Sequence, residues 1–167
     1  MKHNPSGKRK GFTLVELLIV IVVIGVLSAM MMLSSTEAVS SARASNIVSN
    51  LRNLKTATLA WYADHLDSAD ASGFNLGTNV GIDKIKKYLN NESDTALTGY
   101  HVDGTTADTW YVYYDGSDIG NSSVVEKLNA RRGSVGIAGT KVKTDYTNAN
   151  NKITTTGTTA KVYMFVR

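Results

Sequence analysis

Cysteine is missing from this 167-residue sequence, which excludes disulfide bonds, thiolate metal sites and cysteine nucleophiles. Proline occurs once, as Pro5, so no proline can break a helix further along the chain. Histidine is scarce, and neither His65 nor His101 lies in a recognisable nucleophile or zinc motif. The 14 glycines are scattered and form no phosphate-binding loop. We therefore expect no enzyme activity, no metal site and no other cofactor.

A net charge is also lacking once the first residues are set aside. The chain has 18 basic and 14 acidic residues, but residues 1–11 contain four of the basic ones and none of the acidic ones. Residues 12–167 therefore carry 14 of each and are neutral overall. A neutral chain lacks the general electrostatic attraction to nucleic acid that a basic protein has.

What the sequence does contain is one long apolar run near its start. Residues 12–33 carry a single charge, that of Glu16. A helix of this length extends about 33 Å, which matches the hydrocarbon core of a bilayer at about 30 Å. The run therefore predicts one membrane-spanning helix. Basic residues precede it, so the N-terminus is expected in the cytoplasm; these are Lys2, Lys8, Arg9 and Lys10.

Glu16 is unusual because it places a carboxylate inside this apolar run. A charged side chain within a membrane costs about 2.5–3.5 kcal/mol on insertion scales and usually has a partner. Residues 12–33, however, contain no lysine, arginine or histidine. A cut after Gly11 would give Phe12 a free α-amino group, with which Glu16 of a neighbouring copy could pair. The acid then makes sense as an assembly device.

Residues 11–16, GFTLVE, resemble the processing motif of type IV pilins and of the pseudopilins of type II secretion and competence systems. The resemblance implies a leader peptide of residues 1–11, cleavage between Gly11 and Phe12 by prepilin peptidase, and N-methylation of Phe12. It also implies that Glu16 acts in filament assembly. Gly25 matches a helix-loosening glycine of the family, whereas Leu33 stands where many members have proline.

By this resemblance the chain is a structural subunit of a type IV pilus-like filament, either a type IV pilin or a type II secretion pseudopilin. Its implied partners are further copies of itself, prepilin peptidase, the membrane, and an assembly platform with its ATPase. It is expected as a single-pass protein of the inner or cytoplasmic membrane, and then in a periplasmic or cell-surface filament. Two functions stay open beside this one: a competence pseudopilin for DNA uptake, and a monomeric membrane-tethered extracytoplasmic binding protein.

The apolar run itself has two ordinary alternatives, a secretory signal peptide and a plain membrane anchor. A signal peptide is cut after its apolar region, and small residues follow this one at Ser34, Ser35 and Ala42. Its apolar core, however, is usually about 7–15 residues long. This run is longer and has an acid near its start, which favours the prepilin-type interpretation.

Beyond the membrane segment of residues 12–33, the helix is predicted to continue as an amphipathic one. Residues 34–66 contain neither proline nor glycine. An apolar stripe recurs there at helical spacing: Ile47, Leu51, Leu54 and Trp61, widened by Val48, Leu59 and Tyr62. We expect one helix over residues 12–66, followed by a globular head domain over residues 67–167.

The head is predicted to combine short helices with a small sheet. Helices are expected over residues 82–89 and 123–132, the second with a Ser123–Glu126 capping box and a stop at Gly133. Strands are expected over residues 99–103, 109–115, 135–138 and 161–166, with exposed hairpins or a mobile loop over residues 140–159. The expected fold class is α+β: a long N-terminal transmembrane helix packed on a small, mostly antiparallel sheet, which resembles the pilin fold.

Three features of the head have an ordinary interpretation beside a functional one. Residues 115–121 place oxygen atoms where calcium could bind, but such residues are also common in turns. Arg131 and Arg132 could contact DNA phosphates, although a solvated helix end is the simpler interpretation. The aromatic residues 110–114 are more typical of packing against the long helix, near Trp61, than of base stacking.

Overall fold

The computed structural model describes residues 11–65, 80–89, 97–106, 109–155 and 160–166. Its first element is one continuous helix, α1, over Leu14–Asp64. The predicted single helix is therefore confirmed, beginning two residues later than expected; the predicted last residue, Leu66, lies outside the described residues. The chain divides into two compact units with the boundary between Ala38 and Val39, inside α1.

From Leu14 to Met32, α1 is apolar on all sides apart from Glu16 and Ser28. Every large apolar side chain described between Phe12 and Met32 is at least 50% exposed. Within the described residues, α1 is the one helix long and apolar enough, by length and composition, to cross a membrane. A helix that is apolar all round needs lipid or other apolar helices around it, because water would contact its whole surface.

From Val39 onwards α1 is amphipathic and belongs to the second unit. The predicted apolar stripe is buried in the core of this unit, with exposures of 0–7% for Ile47, Val48, Leu51, Leu54 and Trp61. Tyr62 is partly buried against the same core. Leu59, in contrast, is 38% exposed. The prediction that Leu59 widens the stripe is wrong, because its direction on the helix lies at the solvent edge of that stripe.

A four-stranded antiparallel sheet forms the other half of the second unit. Its strands are β1 (Tyr100–Thr106), β2 (Thr109–Tyr114), β3 (Ile137–Ala138) and β4 (Val162–Phe165), in the spatial order β1-β2-β4-β3. All three pairings are antiparallel. The predicted α+β fold with a small antiparallel sheet is confirmed. Strand β1 is longer than predicted and β3 is shorter.

Alternate residues of β2 face the two sides of the sheet. Trp110, Val112 and Tyr114 belong to the core cluster that includes the buried stripe of α1. The rings of Trp110 and Trp61 lie 6.4 Å apart, which confirms the predicted packing of the aromatic strand near Trp61. Aromatic side chains therefore join the sheet to the helix by apolar contact.

The opposite side of the sheet also carries aromatic side chains. Tyr113 of β2 lies 5.3 Å from Tyr163 of β4, ring centre to ring centre, and the ammonium group of Lys161 lies 4.3 Å above the Tyr113 ring. Burial, reinforced by the nearby Tyr113 hydroxyl and Asp103 carboxylate, raises the pKa of Tyr163 to about 12. These contacts hold the last strand on the sheet of a chain that has no disulfide.

The described part of the second unit also contains a 3-10 turn at Ser117–Gly120 and three short α-helices. The helices are α2 (Val80–Ile85), which continues as a 3-10 turn over Lys86–Tyr88, α3 (Ser122–Ala130) and α4 (Arg132–Val135). The helix predicted over residues 82–89 is thus found with an earlier start and a tighter end. Of the two alternatives predicted for residues 140–159, hairpins or a mobile loop, residues 140–155 form a loop of turns, with a 3-10 turn at Ala149–Asn151. Residues 156–159 of that prediction lie outside the described residues.

The predicted limits of the helix over residues 123–132 are wrong at both ends. Helix α3 is capped by Asn121, whose side-chain oxygen accepts a hydrogen bond from the Ser123 backbone N–H at 3.0 Å. Ser123 therefore lies inside the first turn and forms no capping box. At the other end the chain enters α4 instead of stopping at Gly133, and it is Gly136, with φ of +76°, that ends α4 in the left-handed conformation.

Candidate functional site

The start of α1 is built by two residues that bind each other. Thr13 directly precedes the helix, and its hydroxyl oxygen accepts a hydrogen bond from the Glu16 backbone N–H at 3.2 Å. In return the Glu16 carboxylate accepts hydrogen bonds from the Thr13 backbone N–H at 2.9 Å and from the Thr13 hydroxyl at 2.8 Å. This reciprocal arrangement is a capping box, and it explains why the helix begins at Leu14.

Sequence reasoning missed this local role of Glu16. A threonine followed three residues later by glutamate, just before an apolar run, is the signature of a helix start. Thr13 and Glu16 carry this signature. The prediction of an assembly role for Glu16 rests instead on its charge and does not include the hydrogen bonds to Thr13. The carboxylate thus has a partner inside its own chain, although none of the basic side chains in the described residues pairs with it.

The predicted cleavage residues lie outside the helix and are open to solvent. Gly11 and Phe12 precede α1, and Phe12 is 92% exposed. A side chain added at Gly11 would have no atom within 4 Å, and Gly11 does not adopt the left-handed conformation that favours glycine. The fold of this chain therefore does not require glycine at position 11.

Residues 6–32 match the family model described as the prokaryotic N-terminal methylation motif. The chain carries a prepilin signal. This signal is typical of type IV pilin and pseudopilin precursors, and it supports a precursor of that kind here. No curated protein and no solved structure was found to match the chain. The prepilin signal covers the region that precedes α1 together with its apolar first half.

His65 and His101, the two histidines in the described residues, make structural contacts. The His65 ring lies 2.8 Å from the Trp61 carbonyl through Nδ1 and stacks on the Trp61 ring at 4.5 Å. His101 Nε2 lies 2.9 Å from an oxygen of Asp115. Each ring is held near the surface of the second unit by neighbours from the same chain. Neither contact includes a serine, threonine or cysteine nucleophile.

The oxygen-rich segment at residues 115–121 is tied into the chain by ion pairs. Asp115 contacts His101 and, at 3.9 Å, the ammonium group of Lys161. Asp118 forms a 3.0 Å ion pair with Arg43 of α1 and accepts a hydrogen bond from the Tyr114 hydroxyl. Among the described residues, no three histidine or acidic side chains are grouped so that they could hold a metal ion. The two carboxylates thus act as links between elements.

Arg131 and Arg132 are bonded within the chain. Arg131 donates hydrogen bonds to the hydroxyls of Ser45 and Ser41 on α1, at 2.7 and 3.3 Å. Arg132 donates to the carbonyl oxygen of Asn148 at 3.0 Å. Both guanidinium groups join separate segments of the second unit, so this helix end is more closely tied to its surroundings than the solvated end that was predicted.

Proposed function

We propose that the chain is a structural subunit of a type IV pilus-like filament, stored in the membrane through the first half of α1 and then polymerised. The observation that carries the proposal is Glu16: a carboxylate fixed at the start of a helix whose first half is apolar on nearly all sides. Such a helix suits lipid as a monomer and a bundle of like helices as a filament. The prepilin signal over residues 6–32 supports the same function.

Processing is the first step of this function. Prepilin peptidase cuts between Gly11 and Phe12 on the cytoplasmic side and methylates the new amino group of Phe12. The exposed, non-helical position of both residues suits a protease, which needs an accessible and extended segment. Because the fold itself does not require glycine at position 11, its presence there is explained by recognition by the peptidase.

Assembly follows by exchange of lipid for protein around the first half of α1. Glu16 of one subunit pairs with the Phe12 amino group of a neighbour. Neither the carboxylate nor the amino group is then left as an unpaired charge among apolar helices. Phe12 precedes the helix and Glu16 lies in its first turn, so the pair displaces neighbouring helices along their axes by a fixed distance. The ion pair therefore sets the register of the filament, while apolar contact supplies its cohesion.

The proposed topology follows from the same residues. The leader, residues 1–11, faces the cytoplasm and residues 12–33 span the inner or cytoplasmic membrane. The amphipathic residues 34–66 and the head over residues 67–167 face outward. An assembly platform with its ATPase drives extraction from the membrane. A filament found on the cell surface indicates a pilus, whereas a processed chain retained in the cell envelope indicates a type II secretion pseudopilus.

The proposal is tested with Glu16→Val, compared with Gly11→Leu, in cells that hold the assembly machinery. Glu16→Val should enter the membrane and be cleaved as the natural chain is, yet yield few or no filaments, because the partner of the Phe12 amine is gone. Gly11→Leu should remain as the uncleaved precursor. Mass spectrometry of the membrane fraction measures cleavage, and the amount of subunit in the sheared fraction measures assembly. Normal filament yield from Glu16→Val would rule out the role of Glu16.

A further inference from the structure

Both hydrogen bonds from Thr13 end on the same oxygen of Glu16. The Thr13 backbone N–H and hydroxyl each donate to Oε2, at 2.9 and 2.8 Å. Within the described residues the other carboxylate oxygen, Oε1, accepts no hydrogen bond. One oxygen is therefore held by the chain itself, and the second is left for a donor from outside.

We propose that Thr13 is a positioning residue for filament assembly, which holds the Glu16 carboxylate in the rotamer that presents Oε1 to the Phe12 amine of a neighbouring subunit. This inference rests on the assembly role proposed for Glu16. Glutamate is among the side chains that lose most rotamer freedom when they are ordered. Because Thr13 orders it beforehand, the neighbour's amine meets a carboxylate that is already oriented.

The arrangement survives processing of the precursor. The N–H that donates to Oε2 belongs to the peptide bond between Phe12 and Thr13, one residue beyond the proposed cut. The Thr13 hydroxyl is fixed from two sides, since it donates to the carboxylate and accepts from the Glu16 backbone N–H. A hydrogen bond to a charged group is stronger than one between neutral groups, so the hydroxyl is the part of Thr13 that matters most.

Three substitutions separate positioning from simple helix capping. Thr13→Ser keeps the hydroxyl, Thr13→Val has nearly the same shape without it, and Thr13→Gly loses it while remaining a tolerated residue at a helix N-cap. Each full-length variant is expressed with the peptidase and assembly machinery. The readout is filament subunit in the sheared fraction divided by processed chain in the membrane, so that any change in cleavage cancels.

We expect Thr13→Val and Thr13→Gly to lower this ratio about tenfold, as loss of one hydrogen bond to a charged group predicts. Thr13→Ser should stay within about twofold of the natural chain, because its hydroxyl can make the same bonds. Glu16→Val is measured in parallel. If it assembles normally, the function proposed for Glu16 fails, and this inference fails with it.

Other outcomes overturn the positioning role alone, provided that Glu16→Val is defective. Natural assembly of Thr13→Val would show that the hydroxyl is not needed. Natural assembly of Thr13→Gly beside a defective Thr13→Val would show that Thr13 only caps the helix. A defect in Thr13→Ser equal to that of Thr13→Val would show that the threonine methyl group, and not its hydroxyl, is required.

Discussion

The packing of α1 can be tested by replacing two leucines, Leu51 and Leu59, with alanine and comparing the effects on stability. Both lie on the amphipathic part of the same helix, two turns apart. Leu51 is fully buried in the core, whereas Leu59 is 38% exposed. Leu51→Ala and Leu59→Ala change helix propensity by the same amount, so a difference in their effects reports burial alone.

The expected difference follows from the atoms that each substitution removes. Leu51→Ala deletes three buried carbon atoms, worth about 2.4 kcal/mol at about 0.8 kcal/mol each. The cavity left behind adds to this loss, and the free energy of unfolding should fall by about 3–4 kcal/mol in total. Leu59→Ala opens no closed cavity and should cost less than about 1 kcal/mol. For a unit of this size, 1 kcal/mol shifts Tm by about 4 °C.

The measurement is thermal unfolding of the mature chain in detergent micelles, followed by near-ultraviolet circular dichroism. Trp61 and Trp110, which lie together in the core, contribute to this signal and report the packing of the core. Leu51→Ala should lower Tm by about 12–16 °C and Leu59→Ala by no more than about 4 °C. Equal shifts, or a larger shift for Leu59→Ala, would refute the orientation of α1 on the sheet.

Two further predictions concern the cap of α3 and the partly buried Tyr163. Asn121→Ala removes the cap and should lower the free energy of unfolding, measured by urea titration, by about 1 kcal/mol. Ser123→Ala should change it by less than about 0.5 kcal/mol. A larger loss for Ser123→Ala than for Asn121→Ala would show that Ser123 is the cap. The pKa of Tyr163 is about 12 in the folded chain and near 10 in the unfolded chain. As pH rises, the unfolded chain therefore loses this proton first. The free energy of unfolding should keep its full value below about pH 10 and fall between pH 10 and 12, less steeply in Tyr163→Phe than in the natural chain. An equally steep fall in both chains would contradict the raised pKa.

The elements of this fold could be predicted because their signals are periodic. The stripe through Ile47, Leu51 and Leu54 has helical spacing, and the aromatic run at residues 110–114 has the composition of a strand. Both lie where they were expected. Element ends were predicted less well, because they depend on single hydrogen bonds. Asn121 caps α3 from two residues before the predicted cap, Ser123.

The partners of charged side chains could not be predicted for a different reason. The ion pair between Arg43 and Asp118 joins residues 75 positions apart, and the hydrogen bond from Arg131 to Ser45 spans 86. Nothing in local sequence indicates such contacts, since they depend on how helix and sheet pack. For residues 115–121 the sequence leaves a calcium loop and an ordinary turn open, and it does not reveal that Asp115 and Asp118 form ion pairs with other elements.

The candidate site was predicted in part. Glu16 stands out because a charge in an apolar run is costly, and it lies within the methylation motif over residues 6–32. Its role in assembly stays a prediction. The hydrogen bonds from Thr13 were overlooked, although a capping box is a local signal that sequence can reveal. Contact with the Phe12 amine of a second subunit stays a prediction, because it belongs to the assembled filament.

The central claim, that the chain is a processed and polymerised prepilin, is tested most directly by intact-mass and N-terminal analysis. The protein is recovered from membranes and from filaments sheared off the cell surface. We predict a mature chain that begins at N-methylated Phe12 and is present in the sheared fraction. A chain that still begins at Met1, or one that begins downstream of Leu33 as a cleaved signal peptide would leave it, would contradict the account.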